Sequence, residues 1–313
     1  MIHSSKPNPL KTALNRTIPR LSVALILTLA FVVIEAAAGI FANSLALLTD
    51  AAHNFTDVIA LGLSWYALRL TSQPANSSKT YGYHRAGILV ALVNSTTLVL
   101  IALGIFYEAY RRLLEPPEVK PDVLIGVGLA AIAVNLVTAM LVRRGSQDDL
   151  NLRSASVHLM GDVYSSGGAV LAGFLIIFTQ AYWIDPLISI LMGLIILYNA
   201  WGIVRETVDI LLESTPQDLD IQSLVDDIKN ISGVLGVHDL HVWSLTRSLR
   251  TMSAHILTND VPISAGAQIQ EQINDLVYHR YRVGHATLQL ECVDCEPDEL
   301  YCDINTDKEP LLQ

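Results

Sequence analysis

Charge is what this sequence has least of. Only 16% of its 313 residues are charged, against 51% hydrophobic, and the mean hydropathy is +0.42. A soluble chain of this size carries about a quarter charged residues, so a single water-soluble globule is excluded and several bilayer spans are expected. Cysteine is confined to the C-terminal end, at Cys292, Cys295 and Cys302. That leaves no disulfide framework and points to free thiols in a reducing compartment. Cys292-x-x-Cys295 stands alone, without a second pair or the strand–helix context of a redox fold. No His-Glu-x-x-His occurs, so the motif of a zinc protease is missing as well.

The charge that is present is unevenly spread. Residues 1–212 hold 14 basic and 13 acidic residues, whereas residues 213–313 hold 6 and 17. The composition therefore breaks near Leu212, between an apolar portion and an acidic one. An acidic domain repels nucleic acid, which is excluded as a partner, and attracts cations.

A bilayer span takes about 20 apolar residues. Six stretches meet that length, at residues 18–41, 44–70, 86–110, 123–142, 152–178 and 187–210. Glu35 is the odd residue of the first, open to a packing, a snorkelling or a functional reading. Six spans return both termini to one side. Basic residues are concentrated in the N-terminal tail and in the second–third and fourth–fifth connections, which places both termini in the cytoplasm. Of the acidic portion, residues 218–231 and 264–281 have helical spacing, with Ser264 as an expected N-cap. Residues 234–246, 251–259 and 286–291 alternate as strands, Ala286, Leu288 and Leu290 facing inward. The expected architecture is a membrane all-α six-helix bundle followed by a cytoplasmic α+β domain of ferredoxin-like order, αββαβ. The divisions are a tail at 1–17, the spans at 18–212, the α+β domain at 213–295 and an acidic tail at 296–313.

Ionisable residues at bilayer depth cost several kcal/mol each and face the bundle interior or a wet cavity. This chain places His53 and Asp57 four residues apart in its second span and repeats the spacing at His158 and Asp162 in its fifth. Each pair lies on one helical face. One pair alone is equally read as hydrogen bonding between helices. Two matched pairs supply two imidazoles and two carboxylates, the four nitrogen and oxygen ligands that suit Zn²⁺. Asp50, one turn before His53, is read as a group supporting the ligands, as the first to meet an incoming ion, or as a helix-packing residue. Small residues at Gly161, Ser165 and Gly168 are expected to let the second and fifth helices approach closely.

The chain resembles the cation diffusion facilitator family in its zinc-transporting branch. The resemblance rests on Asp50-Ala51-x-His53-x-x-x-Asp57, Tyr81-Gly82-Tyr83-His84-Arg85, His158-x-x-x-Asp162 and His238-Asp239-Leu240-His241-Val242-Trp243, and it runs along nearly the whole chain. It implies a homodimer in the lipid bilayer that exports divalent metal from the cytoplasm against protons, with Zn²⁺ as substrate. It makes His53, Asp57, His158 and Asp162 the transport site. It also implies a regulatory metal site near the dimer seam at His238, His255 and Glu291, with His285 and His241 as further candidates. A regular strand presents His285 and Glu291 on one face. Two departures stand out: the connection at residues 143–151 lacks the histidines of many relatives, and Gly87 stands where relatives often carry an acid. Gln289 replaces a ligating His of some relatives.

The expected function is zinc/proton exchange in a bacterial cytoplasmic membrane. The alternatives are a carrier of broader Zn/Cd/Co specificity and a membrane-anchored metal sensor. An intramembrane metalloenzyme fits less well, because four ligands leave no position for water.

Overall fold

A computed structural model describes the backbone of residues 9–71, 73–143, 150–292 and Leu300. It describes the side chains of 26–60, 62–63, 66–67, 69–71, 73–140, 160–292 and Leu300. Six long helices come first: α1 (Pro9–Ala42), α2 (Leu45–Thr71), α3 (Ala86–Leu114), α4 (Pro121–Arg143), α5 (Leu150–Thr179) and α6 (Ile184–Leu211). They are followed by α7 (Ile221–Lys229), β1 (Val234–Ser244), β2 (Arg250–Thr258), α8 (Ile263–Tyr281) and β3 (Val283–Glu291). Among the described residues, four helices are long and apolar enough to cross a membrane, within α3, α4, α5 and α6. In α1 the described apolar stretch is the shorter Ile26–Ala42. The apolar run of α2 is interrupted by Asp50, His53 and Asp57. α1 begins at Pro9, inside the stretch expected as a tail. Apart from Leu300, the expected acidic tail lies outside the described residues.

The chain forms two compact units, one from residues 1–67 and 90–204, the other from residues 68–89 and 205–313. The boundary falls before the composition break at Leu212 because the last turns of α6 are charged. Glu206 pairs with Arg247 at 2.5 Å and Asp209 accepts a hydrogen bond from Gln217 at 3.3 Å.

In the first unit α4 packs against α5 and α1. Small residues make the close contacts here, rather than between α2 and α5 as expected. A Cβ at Gly173 would meet Ile125 Cγ1 at 2.6 Å and one at Gly128 would meet Val170 Cγ2 at 2.7 Å, whereas Gly161 faces open space. Close approach therefore occurs between α4 and α5. α2 and α5 are joined instead by polar contacts through Ser165 and Ser166.

The start of α2 is held by a carboxylate from another helix. Asp185, wholly buried in the first turn of α6, accepts hydrogen bonds from Ser44 Oγ at 2.5 Å, Leu45 N at 2.6 Å and Ala46 N at 3.3 Å. It thus satisfies orphan amides at the positive end of the helix dipole. Arg112 Nη1 adds a 2.6 Å bond to the carbonyl of Asn43, whose φ of 55° makes the tight α1–α2 turn.

The second unit contains a three-stranded sheet in the order β1-β2-β3, β1 antiparallel to β2 and β2 parallel to β3. α7 and α8 cover one face, burying Leu224, Ile228, Ile273 and Val277 against Met252, Ala254 and Ile256. Ala286, Leu288 and Leu290 pack on this core as their alternation required. Asp220 caps α7 through Gln222 N at 3.0 Å. Ser264 does not cap α8: the cap is Pro262, whose carbonyl accepts the amides of Ala265 and Gly266, so Ser264 lies inside the first turn.

Replacing Asp185 by Ala should cost about 2–3 kcal/mol, the worth of charge-assisted bonds left unmade, and lower the melting temperature of the detergent-solubilised protein. A second expectation concerns pH. Burial first, then its hydrogen bond to Asp227, push the Tyr281 hydroxyl from 10.0 up to about 12. A group raised in the folded state stabilises below its unfolded value and loses that contribution as pH rises through its folded value. Unfolding followed by circular dichroism should therefore show stability falling between pH 10.0 and about 12, and Tyr281→Phe should flatten that fall.

Candidate metal centre

Helical periodicity alone places His53 and Asp57 one turn apart on α2, and the fold brings α5 alongside. His53 Nε2 lies 3.6 Å from Asp57 Oδ2 and 3.9 Å from Asp162 Oδ1. One donor atom from each of the three side chains falls within 4.8 Å of the others. Four ligands at 2.0–2.2 Å from a tetrahedral ion are separated by roughly 3.4 Å, so these distances need only small side-chain adjustments to grip one. Asp162 is 7% exposed, His53 18% and Asp57 25%. The partial exposure comes from a cavity of about 800 Å³ that the three share with Asn94, Ser165 and Asn199. The backbone of α5 carries His158 one turn before Asp162; its side chain lies outside the described residues.

Asp50 does not join this cluster. It is 1% exposed and its two oxygens accept hydrogen bonds from Ser165 and Ser166, each at 2.8 Å. The same Ser166 hydroxyl lies 2.9 Å from the carbonyl of Asp162, a second acceptor for its one hydrogen. Asp50 thereby ties α2 to the turn of α5 that carries Asp162.

A second cluster lies on the sheet face opposite α7 and α8. Register pairs His238 of β1 with His255 of β2, their rings 5.1 Å apart and edge to face. Glu291 of β3 reaches over the central strand, one oxygen 3.0 Å from His238 Nε2 and the other 3.0 Å from His255 Nδ1. His238 is 1% exposed and its Nδ1 is buried without a partner. A register shift follows His238, with Asp239 at a φ of 47°. This bulge turns Asp239 toward His255, at 3.6 Å, and toward His241, at 3.1 Å. Gln289, in register with His255, donates to Glu291 Oε1 at 2.7 Å and so positions the carboxylate.

His285 stands apart from this group. It pairs with Thr251 while Glu291 pairs with Leu257, six residues further along the strand and so roughly 20 Å away. A shared face is not a shared site. His285 instead meets Tyr81, ring centres 6.2 Å apart, beside a cavity lined also by His84 and Leu249. Cys292 is a free, exposed thiol, and Cys295 and Cys302 lie outside the described residues.

Residues 21–212 match the cation efflux transmembrane domain and residues 216–293 the cytoplasmic domain of cation efflux proteins. The chain belongs to the cation efflux family, the cation diffusion facilitators. Among curated members it is similar to the "Cadmium, cobalt and zinc/H(+)-K(+) antiporter" of Bacillus subtilis, 36% identical over 274 residues, covering 87% of this chain and 88% of that one. It is similar also to the "Zinc transporter ZitB" of Escherichia coli K12, 34% identical over 289 residues (91% and 90%). The "Metal cation efflux system protein CzcD" of Cupriavidus metallidurans is 32% identical over 276 residues (88% and 87%). As a member of that family the chain is a divalent metal cation efflux transporter.

Sequence reasoning did not assign Asn94 and Asn199, which line the cavity, or the bracing role of Ser166. The available signal was polarity within apolar runs, which does not say which neighbour a side chain meets.

The strand cluster makes a specific prediction. In full-length protein carrying Asp57→Ala and Asp162→Ala, a zinc site at the strand cluster should lose about tenfold or more in affinity on Glu291→Gln. Calorimetric titration reads this directly.

Proposed function

We propose that this protein exports zinc from the cytoplasm in exchange for protons, through an intramembrane site formed by His53, Asp57, Asp162 and His158. The observation that carries the reading is the convergence of His53, Asp57 and Asp162 from two helices into one cavity. A mixed imidazole–carboxylate set is intermediate in hardness and favours Zn²⁺ over the harder cations that all-carboxylate sites hold. The relatives named as zinc, and as cadmium, cobalt and zinc, transporters agree with such a set. The protein works as a homodimer of six-span subunits in the cytoplasmic membrane of a bacterium, both termini in the cytoplasm. The αββαβ unit is a ferredoxin-like regulatory domain whose His238, His255 and Glu291 bind metal.

The chemistry follows from the donors. Imidazole and carboxylate bind metal only when deprotonated, so affinity falls as pH falls. A cation from the cytoplasm displaces protons from the site. After the bundle rocks, protons entering from the other side reclaim the donors and expel the cation. The net result is zinc outward and protons inward.

Purified protein in liposomes with an imposed pH gradient should take up zinc and dissipate the gradient together. Asp57→Ala or Asp162→Ala should reduce zinc flux at least about a hundredfold, since removing a ligand leaves a buried charge uncompensated. Zinc flux that leaves the gradient untouched would overturn the exchange. His53→Asp should lower discrimination of zinc against manganese, measured by parallel uptake of the two ions.

A further inference from the structure

Behind the candidate site lies a buried pair of carboxyls that the transport site does not use. Glu35 of α1 is 0% exposed and Asp50 of α2 is 1% exposed. The two side chains are within hydrogen-bonding reach of each other. Glu35 Oε2 accepts a bond from Asn54 Nδ2 at 3.4 Å, while Glu35 Oε1 is buried with no donor facing it. Both oxygens of Asp50 are already engaged, by Ser165 and Ser166.

Two ionised carboxylates offer only acceptors and repel each other where water is excluded. One proton between them removes both problems. Asp50, accepting from two hydroxyls, is arranged as the anion. Glu35 is arranged as the acid, donating Oε1–H to Asp50 while Oε2 accepts from Asn54. This assignment leaves no atom of the pair unsatisfied.

We propose that Glu35 carries one of the protons exchanged for the transported cation, so that part of the coupling resides outside the metal ligands. The inference rests on the exchange reading above. Among the described residues, the ionisable groups acting on the pair are His53, whose charge acts on Asp50, and Asp162, whose charge acts on Glu35. α4, which packs on α1, has ionisable residues only at its ends, Asp122 and Arg143. A divalent ion held between Asp57 and Asp162 cancels the negative field of those carboxylates at Glu35, which favours loss of its proton. The O–H bond of Glu35 breaks, Asp50 takes the proton and passes it to water in the cavity that Ser165 lines, and Glu35 is left as a carboxylate. When the cation departs, the reverse steps restore the acid. One lost proton halves the net charge that a divalent ion brings into the buried region.

Glu35→Gln is the informative variant. Its amide donates to Asp50 and accepts from Asn54, so the contacts persist without a releasable proton. In liposomes with a trapped pH dye, the number of protons moved per zinc should fall by one relative to wild type. In detergent, the zinc Kd should become about tenfold less sensitive to each pH unit, the effect of one proton fewer released. Glu35→Asp should restore both. An unchanged ratio and slope in Glu35→Gln, with wild-type exchange intact, would overturn the Glu35 assignment alone. Wild-type zinc flux without proton counterflow would overturn the exchange and this assignment with it. Should the variant fail to assemble, wild type decides. Zinc addition must remove a protonated-carboxyl C=O band from the infrared difference spectrum, and persistence of all such bands overturns the proposal.

Discussion

An ionised carboxylate in the interior of a bilayer must be compensated, or it does not stay ionised. The membrane unit of this protein places Glu35, Asp50, Asp57, Asp162 and Asp185 within its helices, and each meets that requirement differently. Asp185 is compensated by the start of α2 and the hydroxyl of Ser44. Asp50 is compensated by two serine hydroxyls of α5. Asp57 and Asp162 face the imidazole of His53 across a cavity large enough for water and an ion. Glu35 is left with one oxygen accepting from Asn54 and the other buried with no donor facing it.

These solutions are linked through α2. Its first turn is fixed by Asp185, its next is tied to α5 through Asp50, and the following turns carry His53 and Asp57. The arrangement therefore couples helix anchoring, helix pairing and the candidate site along a single element. A cation held at the proposed site would alter the field at the residues that tie α2 and α1 to their neighbours, so the carboxyl pair behind it belongs to the same electrostatic system. The strand cluster obeys the same logic in a wetter setting. One carboxylate, oriented by Gln289, sits between two imidazoles on the sheet face that the helices leave uncovered.

Much of this was legible before any coordinates. The scarcity of charge marked a membrane protein, the run lengths marked α2 to α6 to within four residues although α1 begins nine residues before its expected start, and period-two alternation marked the three strands and the inward face of β3. The spacing of His53 and Asp57 singled out the candidate site because four residues make one helical turn. Where the reading missed, the reason is local ambiguity. Ser264 looked like a cap because hydroxyls usually are, yet the chain turned one residue earlier, at Pro262. Gly161 looked like a packing residue, yet the close helix contact runs through Gly128 and Gly173. His285 shares a strand face with Glu291, and parity along a strand says nothing of the distance between them.

The sequence by itself determined which residue types lie at membrane depth and which of them share a turn, because helix and strand periods are properties of the backbone. Only the tertiary structure decided which distant groups meet. It set Asp162 beside His53, Glu35 against Asp50, Asp185 under α2 and Glu291 across the strands from His238. Those pairings depend on how helices and strands pack, and the cost of an uncompensated buried charge is what selects among the packings that hydrophobic burial alone would allow.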